Sequence, residues 1–139
     1  STAASVAGVD MNRNDLKEIE FDGANVLPYL IGEIEGEPQR VLFNKSGNYS
    51  FIIKEGWKLQ VDLVQNKKWL YNLNEDPTEQ ENLIKSDLEK LNELEKILNK
   101  KLSEQVKPIW PSLLDWPIFI DKTLDEKVNK NDEYIFWAN

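Results

Sequence analysis

Cysteine and histidine are both absent from this chain of 139 residues. Their absence excludes thiolate nucleophiles, imidazole bases, Cys/His zinc sites and Ser-His-Asp triads. Any chemistry that the chain performs is restricted to carboxylates, amines and hydroxyls. The lack of cysteine assigns no redox compartment, because proteins without cysteine are compatible with all of them.

Long apolar runs and clusters of basic residues are also missing. No apolar stretch approaches the roughly 18 residues that a membrane-spanning helix needs, so a membrane role is not expected. The formal charge is −8, from 17 Lys and Arg against 25 Asp and Glu, and the basic residues are scattered. Since an acidic chain is repelled by phosphate backbones, nucleic-acid binding is not expected either.

The start of the chain, residues 1–9, has neither the basic region nor the long apolar region of a signal peptide, and it does not begin with Met. Its composition predicts the last turns of a helix, with Gly8 in the left-handed cap position. The expectation is a truncated helix, as if an upstream part had been cut away. A processed start of a complete protein is the alternative.

The length and the 40% apolar and 30% charged composition favour one compact domain over residues 1–139. Three parts are expected within it. Residues 1–20 form the truncated helix and a polar lead, residues 21–104 form a core of sheet and helix, and residues 105–139 form a C-terminal strap. A short helix is also expected at 24–30, within the second part.

Residue patterns in the middle of the chain predict a four-stranded antiparallel sheet. Residues 41–43 and 49–54 are rich in β-branched and aromatic side chains, and the turn formers at 44–48 between them indicate a hairpin. Residues 57–63 alternate strictly, which places the odd-numbered apolar side chains on one buried face and leaves the other face to solvent. A fourth strand at 68–73 completes the meander.

A long amphipathic helix is predicted to cover one face of this sheet. Ser86 and Glu89 have the spacing of a capping box, and leucine or isoleucine recurs every three or four residues over 87–102. Beyond Val106 the prolines exclude a regular helix and predict an extended, proline-rich strap, to which residues 134–137 could add an edge strand. The predicted fold class is therefore α+β.

Two acidic segments, 72–82 and 125–133, are possible metal loops by composition. Both lack the glycine and the alternating ligand spacing of an EF-hand. Segment 72–82 is interpreted as a connection from strand to helix, with a turn at Asp76-Pro77 and acids that favour a helix N-terminus. Segment 125–133 is interpreted as a solvated loop, so no metal site is predicted.

The five tryptophans raise the possibility of a surface on which sugars stack. A platform of this kind needs neighbouring exposed rings. Trp57 and Trp69 fall in predicted strands and are assigned to the core. Trp110 and Trp116, in the proline-rich strap, keep a carbohydrate-binding role open.

Several short motifs occur in an order and spacing that together are typical of one enzyme family. They are Asp22-Gly23, Leu27-Pro28-Tyr29-Leu30, Gly56-Trp57-Lys58-Leu59, Trp69-Leu70-Tyr71-Asn72-Leu73, Asp76-Pro77-Thr78-Glu79 and Asn82-Leu83. In these motifs residues 1–102 resemble the C-terminal part of a sulfatase of the alkaline phosphatase superfamily. The tail, with Pro108-Ile109-Trp110-Pro111 and residues 120–126, resembles the ending of some arylsulfatases.

The resemblance implies a parent enzyme that hydrolyses sulfate esters in the periplasm or outside the cell. Such enzymes use a formylglycine made from the cysteine of a Cys-x-Pro-Ser-Arg segment, beside a calcium ion held by Asp and Asn. These motifs do not occur in this sequence, so no catalytic residue or metal ligand is carried over. The implied partner is the missing N-terminal catalytic domain, and this chain is expected to be a structural and pocket-edge module, inactive alone.

Two other functions remain open. The first is a free-standing module, derived from a sulfatase, that binds carbohydrate or protein. The second is an enzyme that uses carboxylates alone, as glycosidases do, but no pair of acids is spaced to support it.

Loss of the catalytic domain would also leave an exposed apolar patch, formed by Val6, Leu27, Tyr29 or the strap tryptophans. Such patches promote self-association, so a homodimer is possible.

Candidate substrate-binding residues come from the resemblance alone. The loop at 44–49 corresponds to a region of sulfatases that often carries Trp-Arg or His and lies toward the substrate pocket. Here Asn44 and Lys45 take the place of Trp-Arg, followed by Tyr49. Lys54 stands where the family often has Arg, and the two are not interchangeable at a bidentate site. A plain hairpin turn is the alternative interpretation.

Overall fold

The computed structural model describes residues 1–10, 13, 15–16, 21, 23–38, 40–110, 115–120, 126–127 and 129–138, with the backbone alone at 115–117 and 136–138. The chain forms two compact units, Ser1–Arg40 and Val41–Asn139. The prediction of one domain over residues 1–139 is a statement about independent folding, and it stays a prediction. Much of the polar lead at 10–20, Asp22, Pro111, residues 121–125 and the Trp116 side chain, all named in predictions above, lie outside the described residues.

The first unit begins with a short helix, α1 (Thr2–Val6). Gly8 has φ +76°, and its N–H donates to the Ser5 carbonyl at 3.0 Å, while the Val9 N–H donates to the Ala4 carbonyl at 3.0 Å. This pair of bonds is a Schellman motif, in which glycine is favoured because it has no Cβ. The predicted left-handed cap at Gly8 is confirmed.

The second helix of this unit, α2 (Leu27–Leu30), is shorter than the predicted helix at 24–30. Pro28 lies in its first turn, where the proline lacks only an N–H that would have no partner within the helix. The Thr2 hydroxyl donates to the Ala24 carbonyl at 3.2 Å and accepts from the Val26 N–H at 3.0 Å. These bonds hold residues 24–26 in a non-helical segment beside α1.

The second unit contains the predicted four-stranded antiparallel sheet. Its strands are β1 (Leu42–Ser46), β2 (Tyr49–Lys54), β3 (Trp57–Asp62) and β4 (Lys67–Asn72), paired in chain order. The prediction of a loop at 44–48 was wrong, because residues 44–46 belong to β1 and pair with β2. A two-residue turn is sufficient here, since Gly47 has φ +57° and glycine at that position suits a type II′ hairpin.

The helix α3 (Leu88–Glu104) packs on one face of the sheet, as predicted. Leu94 and Leu98 of α3 join a buried core with Ile52, Leu59, Val61 and Leu70. The predicted capping box was displaced by one residue, because the N-cap is Asp87. Its carboxylate accepts from the Lys90 N–H at 2.9 Å, whereas the Ser86 hydroxyl donates to the Leu83 carbonyl at 3.2 Å. An Asp carboxylate at the N-cap accepts a hydrogen bond from a helix N–H just as a Ser hydroxyl would.

The opposite face of the sheet is not left to solvent, which corrects the prediction of one wet face. Tyr49, Trp69, Tyr71 and Ile135 form a second buried cluster there. Ile135 belongs to β6 (Tyr134–Ala138), which pairs antiparallel with β5 (Asp115–Phe119). The strand predicted near the C-terminus therefore exists, but it pairs with the proline-rich strap and not with an edge of the main sheet.

Candidate functional site

The four candidate substrate-binding residues lie on β1 and β2 but on both faces of the sheet. The register pairs Asn44 with Phe51 and Lys45 with Ser50. Because successive side chains of a strand point to opposite faces, Asn44 and Tyr49 share one face, and Lys45 and Lys54 share the face covered by α3. The structure therefore does not bring the four together, and their role in substrate binding stays a prediction.

Lys54 is held in an ion pair that joins β2 to α3. Its Nζ lies 2.5 Å from Glu93 Oε1, and Lys90 Nζ lies 2.7 Å from Glu93 Oε2. The hydrogen bond from Lys54, followed by the one from Lys90, lowers the pKa of Glu93 to about 2. The bond to Glu93 in turn raises the pKa of both lysines. The Lys54 ammonium is thus engaged by a partner within the protein.

Tyr49 is buried, and its phenol donates to Gln60 Oε1 at 2.7 Å. Burial raises the pKa of Tyr49, and the negative charge of Glu79 raises it further, with smaller contributions from Tyr71 and Asp62. The phenol therefore remains protonated and acts as a donor at physiological pH. Tyr49 is therefore part of the buried interior of the second unit.

Asn44 and Lys45 are exposed, and they lie on an edge strand of the sheet. The other edge strand, β4, is hydrogen-bonded by residues 82 and 83 of the same chain. The Leu83 N–H donates to the Leu70 carbonyl at 2.7 Å, and the Leu70 N–H donates to Asn82 Oδ1 at 2.9 Å. Of the four candidates, Asn44 and Lys45 are the two whose side chains a ligand in solution can reach.

A polar network that the sequence analysis missed lies on the face of Tyr49. Lys58 Nζ donates to both carboxylate oxygens of Glu79, at 2.6 and 2.8 Å. Gln60 Nε2 donates to Glu79 Oε2 at 2.7 Å, while the Gln60 carbonyl accepts from Tyr49. Lys58 Nζ also lies 5.3 Å from the centre of the Phe51 ring, within the range of a cation–π contact. The network therefore links β2 and β3 to Glu79.

Residues 73–83, the first part of the segment between β4 and α3, are called the connector. Its predicted turn at Asp76-Pro77 is confirmed, since the Glu79 N–H donates to the Asp76 carbonyl at 3.2 Å and the Glu81 N–H donates to Asp76 Oδ2 at 2.8 Å. The prediction that its acids favour a helix N-terminus was wrong for Glu79, which bonds to β3 instead. The connector folds back onto the sheet before α3 begins.

A second set of polar contacts ties the β5–β6 hairpin to the sheet. The buried Asp62 carboxylate accepts from the N–H groups of Val64 and Gln65, at 2.8 and 3.2 Å. The Gln65 side-chain amide donates to the Tyr134 carbonyl. Trp69 Nε1 donates to Glu133 Oε2 at 2.5 Å. These bonds hold the hairpin over the face that the sequence analysis assigned to water.

The two tryptophans assigned to the core pack as predicted. Trp69 is buried in the cluster around Tyr49, and Trp57 is partly buried against the core beneath α3. Trp110 is 84% exposed, and the neighbouring Val106 and Ile109 are 89% and 85% exposed. Within the part of the chain whose side chains are described, the tryptophans therefore do not form a shared platform.

The carboxylates of this region are engaged by the protein itself. Glu79 and Glu93 bond to lysines, and Asp62 bonds to backbone and side-chain amides. Across the described residues, no group of three or more Asp, Glu, His or Cys is placed to hold a metal ion. In the same part of the chain, no helix has both the length and the apolar character needed to cross a membrane. The described arrangement fixes the geometry of the sheet, the connector and α3.

Comparison with known proteins gave no match, either in a scan against protein-family models or in a search of curated proteins. The sulfatase resemblance therefore depends on the motifs quoted above. The structure adds where those motifs lie, and the α+β fold is established by the sheet and α3.

Proposed function

We propose that this chain is the C-terminal subdomain of a sulfatase, a structural and pocket-edge module that is not catalytic alone. Its parent would hydrolyse sulfate esters, with formylglycine and calcium supplied by an N-terminal catalytic domain. One observation supports the proposal above others: four of the six motifs that carry the resemblance, all within residues 56–83, contact one another where the connector folds onto the sheet.

The supporting contacts come from motifs that are separated along the chain. Gly56, in the turn between β2 and β3, accepts from the Leu73 N–H at 2.7 Å. Lys58 bonds to Glu79, and Asn82 bonds to Leu70. The convergence of these motifs is what a common fold with sulfatases would require, although fold alone does not imply activity.

The pocket-edge role is assigned to the exposed end of β1. Lys45 carries a positive charge on an edge strand, and Asn44, its neighbour in sequence on the opposite face of the strand, has both hydrogen-bond donors and an acceptor. A lysine at this position would attract an anionic sulfate ester, so the pocket-edge role is proposed for Lys45 first. Tyr49 and Lys54 are not needed for this role, because both are engaged within the fold.

The first experiment is to sequence the DNA immediately upstream of the Ser1 codon in the source genome. The proposal expects an open reading frame that continues upstream into a Cys-x-Pro-Ser-Arg segment. A stop codon followed by a ribosome-binding site and a start codon next to Ser1 would contradict it. The purified chain, assayed with nitrophenyl sulfate and calcium, should show no turnover. Turnover that persists through repurification would contradict the assignment of catalysis to the N-terminal domain.

If the reading frame continues, the whole enzyme tests the pocket-edge role. Lys45→Ala should raise the KM for a sulfated substrate by about fivefold, because an exposed charge pair contributes up to about 1 kcal/mol. Lys67→Ala is the matched control, since Lys67 is also an exposed lysine at the end of a strand. Equal KM values for the two variants would remove Lys45 from the pocket edge.

The second candidate function is a free-standing module that binds carbohydrate or protein. The exposure of Trp110 favours it, because an exposed indole offers both an apolar face and a hydrogen-bond donor. This function expects sulfated or neutral glycans to quench tryptophan fluorescence saturably, and Trp110→Ala to abolish the quenching. Unchanged fluorescence across both glycan classes would remove the carbohydrate form of this proposal.

A further inference from the structure

Glu79 has a backbone conformation that residues other than Gly, Asn and Asp rarely adopt. Its φ is +59°, in the left-handed region where Cβ crowds a carbonyl oxygen. Such a conformation persists only where the surrounding contacts hold it in place. The contacts that hold Glu79 are therefore a feature of the fold that calls for an explanation.

The Glu79 carboxylate enters a prearranged set of donors on the sheet. Lys58 and Gln60 both donate to it, and the two residues share one face of β3. Lys58 is also placed by Phe51, and Gln60 is oriented by Tyr49. The side chains of Lys58 and Glu79 are only 15% and 25% exposed, so water and salt screen the pair less than a surface ion pair.

The neighbouring side chains at 76–80 do not reach the sheet in this way, whereas Asn74, nearer to β4, donates to the Glu55 carbonyl at 3.4 Å. Asp76 bonds to Thr78 and to the Glu81 N–H, and Gln80 bonds to the Thr78 carbonyl. These bonds shape the connector internally. The end of the connector is attached to β4 through Asn82 and Leu83. Glu79 is thus the side chain that carries the middle of the connector to β3.

We propose that Glu79 is a clamp, and that its release opens the connector as a local unit while the sheet and α3 remain folded. Release of the carboxylate removes the contacts that hold the left-handed backbone, so the chain at Glu79 relaxes. The bonds that depend on the closed connector then open with it. Local opening of this kind is typical of segments with few buried apolar contacts. The proposal does not depend on the proposed function.

Amide hydrogen exchange of the 139-residue chain tests the clamp. The reporters are the N–H groups of Glu81, Leu83 and Leu70, each of which bonds within or to the connector. In Glu79→Gln these amides should exchange about tenfold faster, the effect of losing one charge-assisted hydrogen bond. The amides of Leu94 and Leu98 in α3 should stay within about twofold of the wild type.

Two further variants test whether the effect comes from the charge of Glu79, from its backbone conformation or from a loss of charge anywhere in the connector. Glu81→Gln makes the same change of charge at an exposed residue two positions away, and it should leave the Leu83 and Leu70 reporters unchanged. Glu79→Gly removes the carboxylate but tolerates positive φ, and it should accelerate the reporters as Glu79→Gln does. Reporters that remain protected in Glu79→Gly would show that the carboxylate does not hold the connector.

The wild-type chain provides an independent test should a variant fail to fold. If the connector opens locally, exchange of its reporters will depend little on low urea concentrations, because little surface is exposed. Exchange of Leu94 and Leu98 will depend steeply on urea, since it requires unfolding of the core. Equal urea dependence in the connector and α3 would overturn the clamp, as would equal acceleration of both in Glu79→Gln.

Discussion

Gly56 and Glu79 both have positive φ, but the structure stabilises them by different means. Glu79 is held by charge, as described above. Gly56, with φ +78°, is favoured by its backbone conformation, and it also lies close to the Asn74 side chain. A Cβ added there would lie 2.2 Å from Asn74 Nδ2, a distance at which one of the two groups must move. The sequence motif Gly56-Trp57 thus has a local physical cause, since this turn must approach the connector closely.

Gly56→Ala should destabilise the chain by about 1–3 kcal/mol, from the left-handed backbone and from the contact with Asn74. Urea unfolding followed by tryptophan fluorescence measures the loss. Asn74→Ala introduced into the same variant should restore the part that comes from the contact, leaving the backbone cost. Equal stability of Gly56→Ala and the wild type would contradict this account of the turn.

Among the elements, β2 and α3 are joined by an ionic contact in addition to their apolar core. Glu93 lies between Lys54 and Lys90, and Lys90 Nζ lies 5.8 Å from the centre of the Trp57 ring. These side chains are partly exposed, so the contact is a modest addition to the burial of Leu94 and Leu98. Its contribution can be separated from the core because it depends on pH.

The pKa of Glu93 is lowered to about 2 from an ordinary value of 4.5. A carboxyl group with a lowered pKa in the folded state stabilises that state above its ordinary pKa. This contribution is lost as the pH falls from 4.5 toward 2. The wild type should therefore be more stable than Glu93→Gln at pH 7, and the two should converge in acid. Urea titrations over this range measure the difference.

Glu89→Gln is the control for this comparison, because it makes the same change of charge at an exposed position of α3. Its stability relative to the wild type should change much less between neutral and acidic pH than that of Glu93→Gln. A constant difference between the wild type and Glu93→Gln at every pH would mean that the effect of the variant comes from packing and not from the charge of Glu93.

Elements with a strong local pattern could be predicted from the sequence. The alternation in β3 and the leucine spacing of α3 each report a single buried face, and both elements lie within a few residues of their predicted bounds. The pairing of β5 with β6 was not predicted, because the prolines of the strap indicated an extended segment without a partner strand. The N-cap was displaced by one residue because Ser86 and Asp87 are both good caps.

The second buried face of the sheet was missed for an identifiable reason. Lys58, Gln60 and Asp62 alternate along β3, and polar alternation normally indicates a solvated face. Here each of the three has a partner within the protein. The aromatic residues at alternate positions of β2 and β4, such as Tyr49 and Trp69, were the signal that this face is covered.

The candidate site shows the same limit. A resemblance placed Asn44, Lys45, Tyr49 and Lys54 in one region of the chain, and the structure keeps them on neighbouring strands. Nearness in sequence does not determine the face of a strand on which a side chain lies, which depends on register. The network around Glu79 could not be predicted, since it joins residues from β2, β3 and the connector.

At the scale of the whole molecule, a negative net charge opposes association while exposed apolar side chains favour it. Of the residues expected to form an apolar patch, Val6 and Trp110 are exposed, whereas Leu27 and Tyr29 are partly buried. Val106, Ile109 and Trp110 follow α3 within six residues and are more than four-fifths exposed. These three are the most exposed of the large apolar side chains that the structure describes.

The chain should therefore self-associate through the run at 106–110. Burial of one large apolar side chain contributes about 1.5–3 kcal/mol, so replacing both Ile109 and Trp110 by Ser should weaken association by at least about tenfold. Sedimentation velocity over a range of concentrations measures the change.

Leu63→Ser is the control, because Leu63 is also exposed but lies elsewhere in the chain, just beyond the end of β3. High salt should strengthen association of the wild type, since it screens the repulsion between acidic chains. A monomer at every concentration and salt level would contradict the prediction, and association weakened equally by Leu63→Ser would place the contact elsewhere.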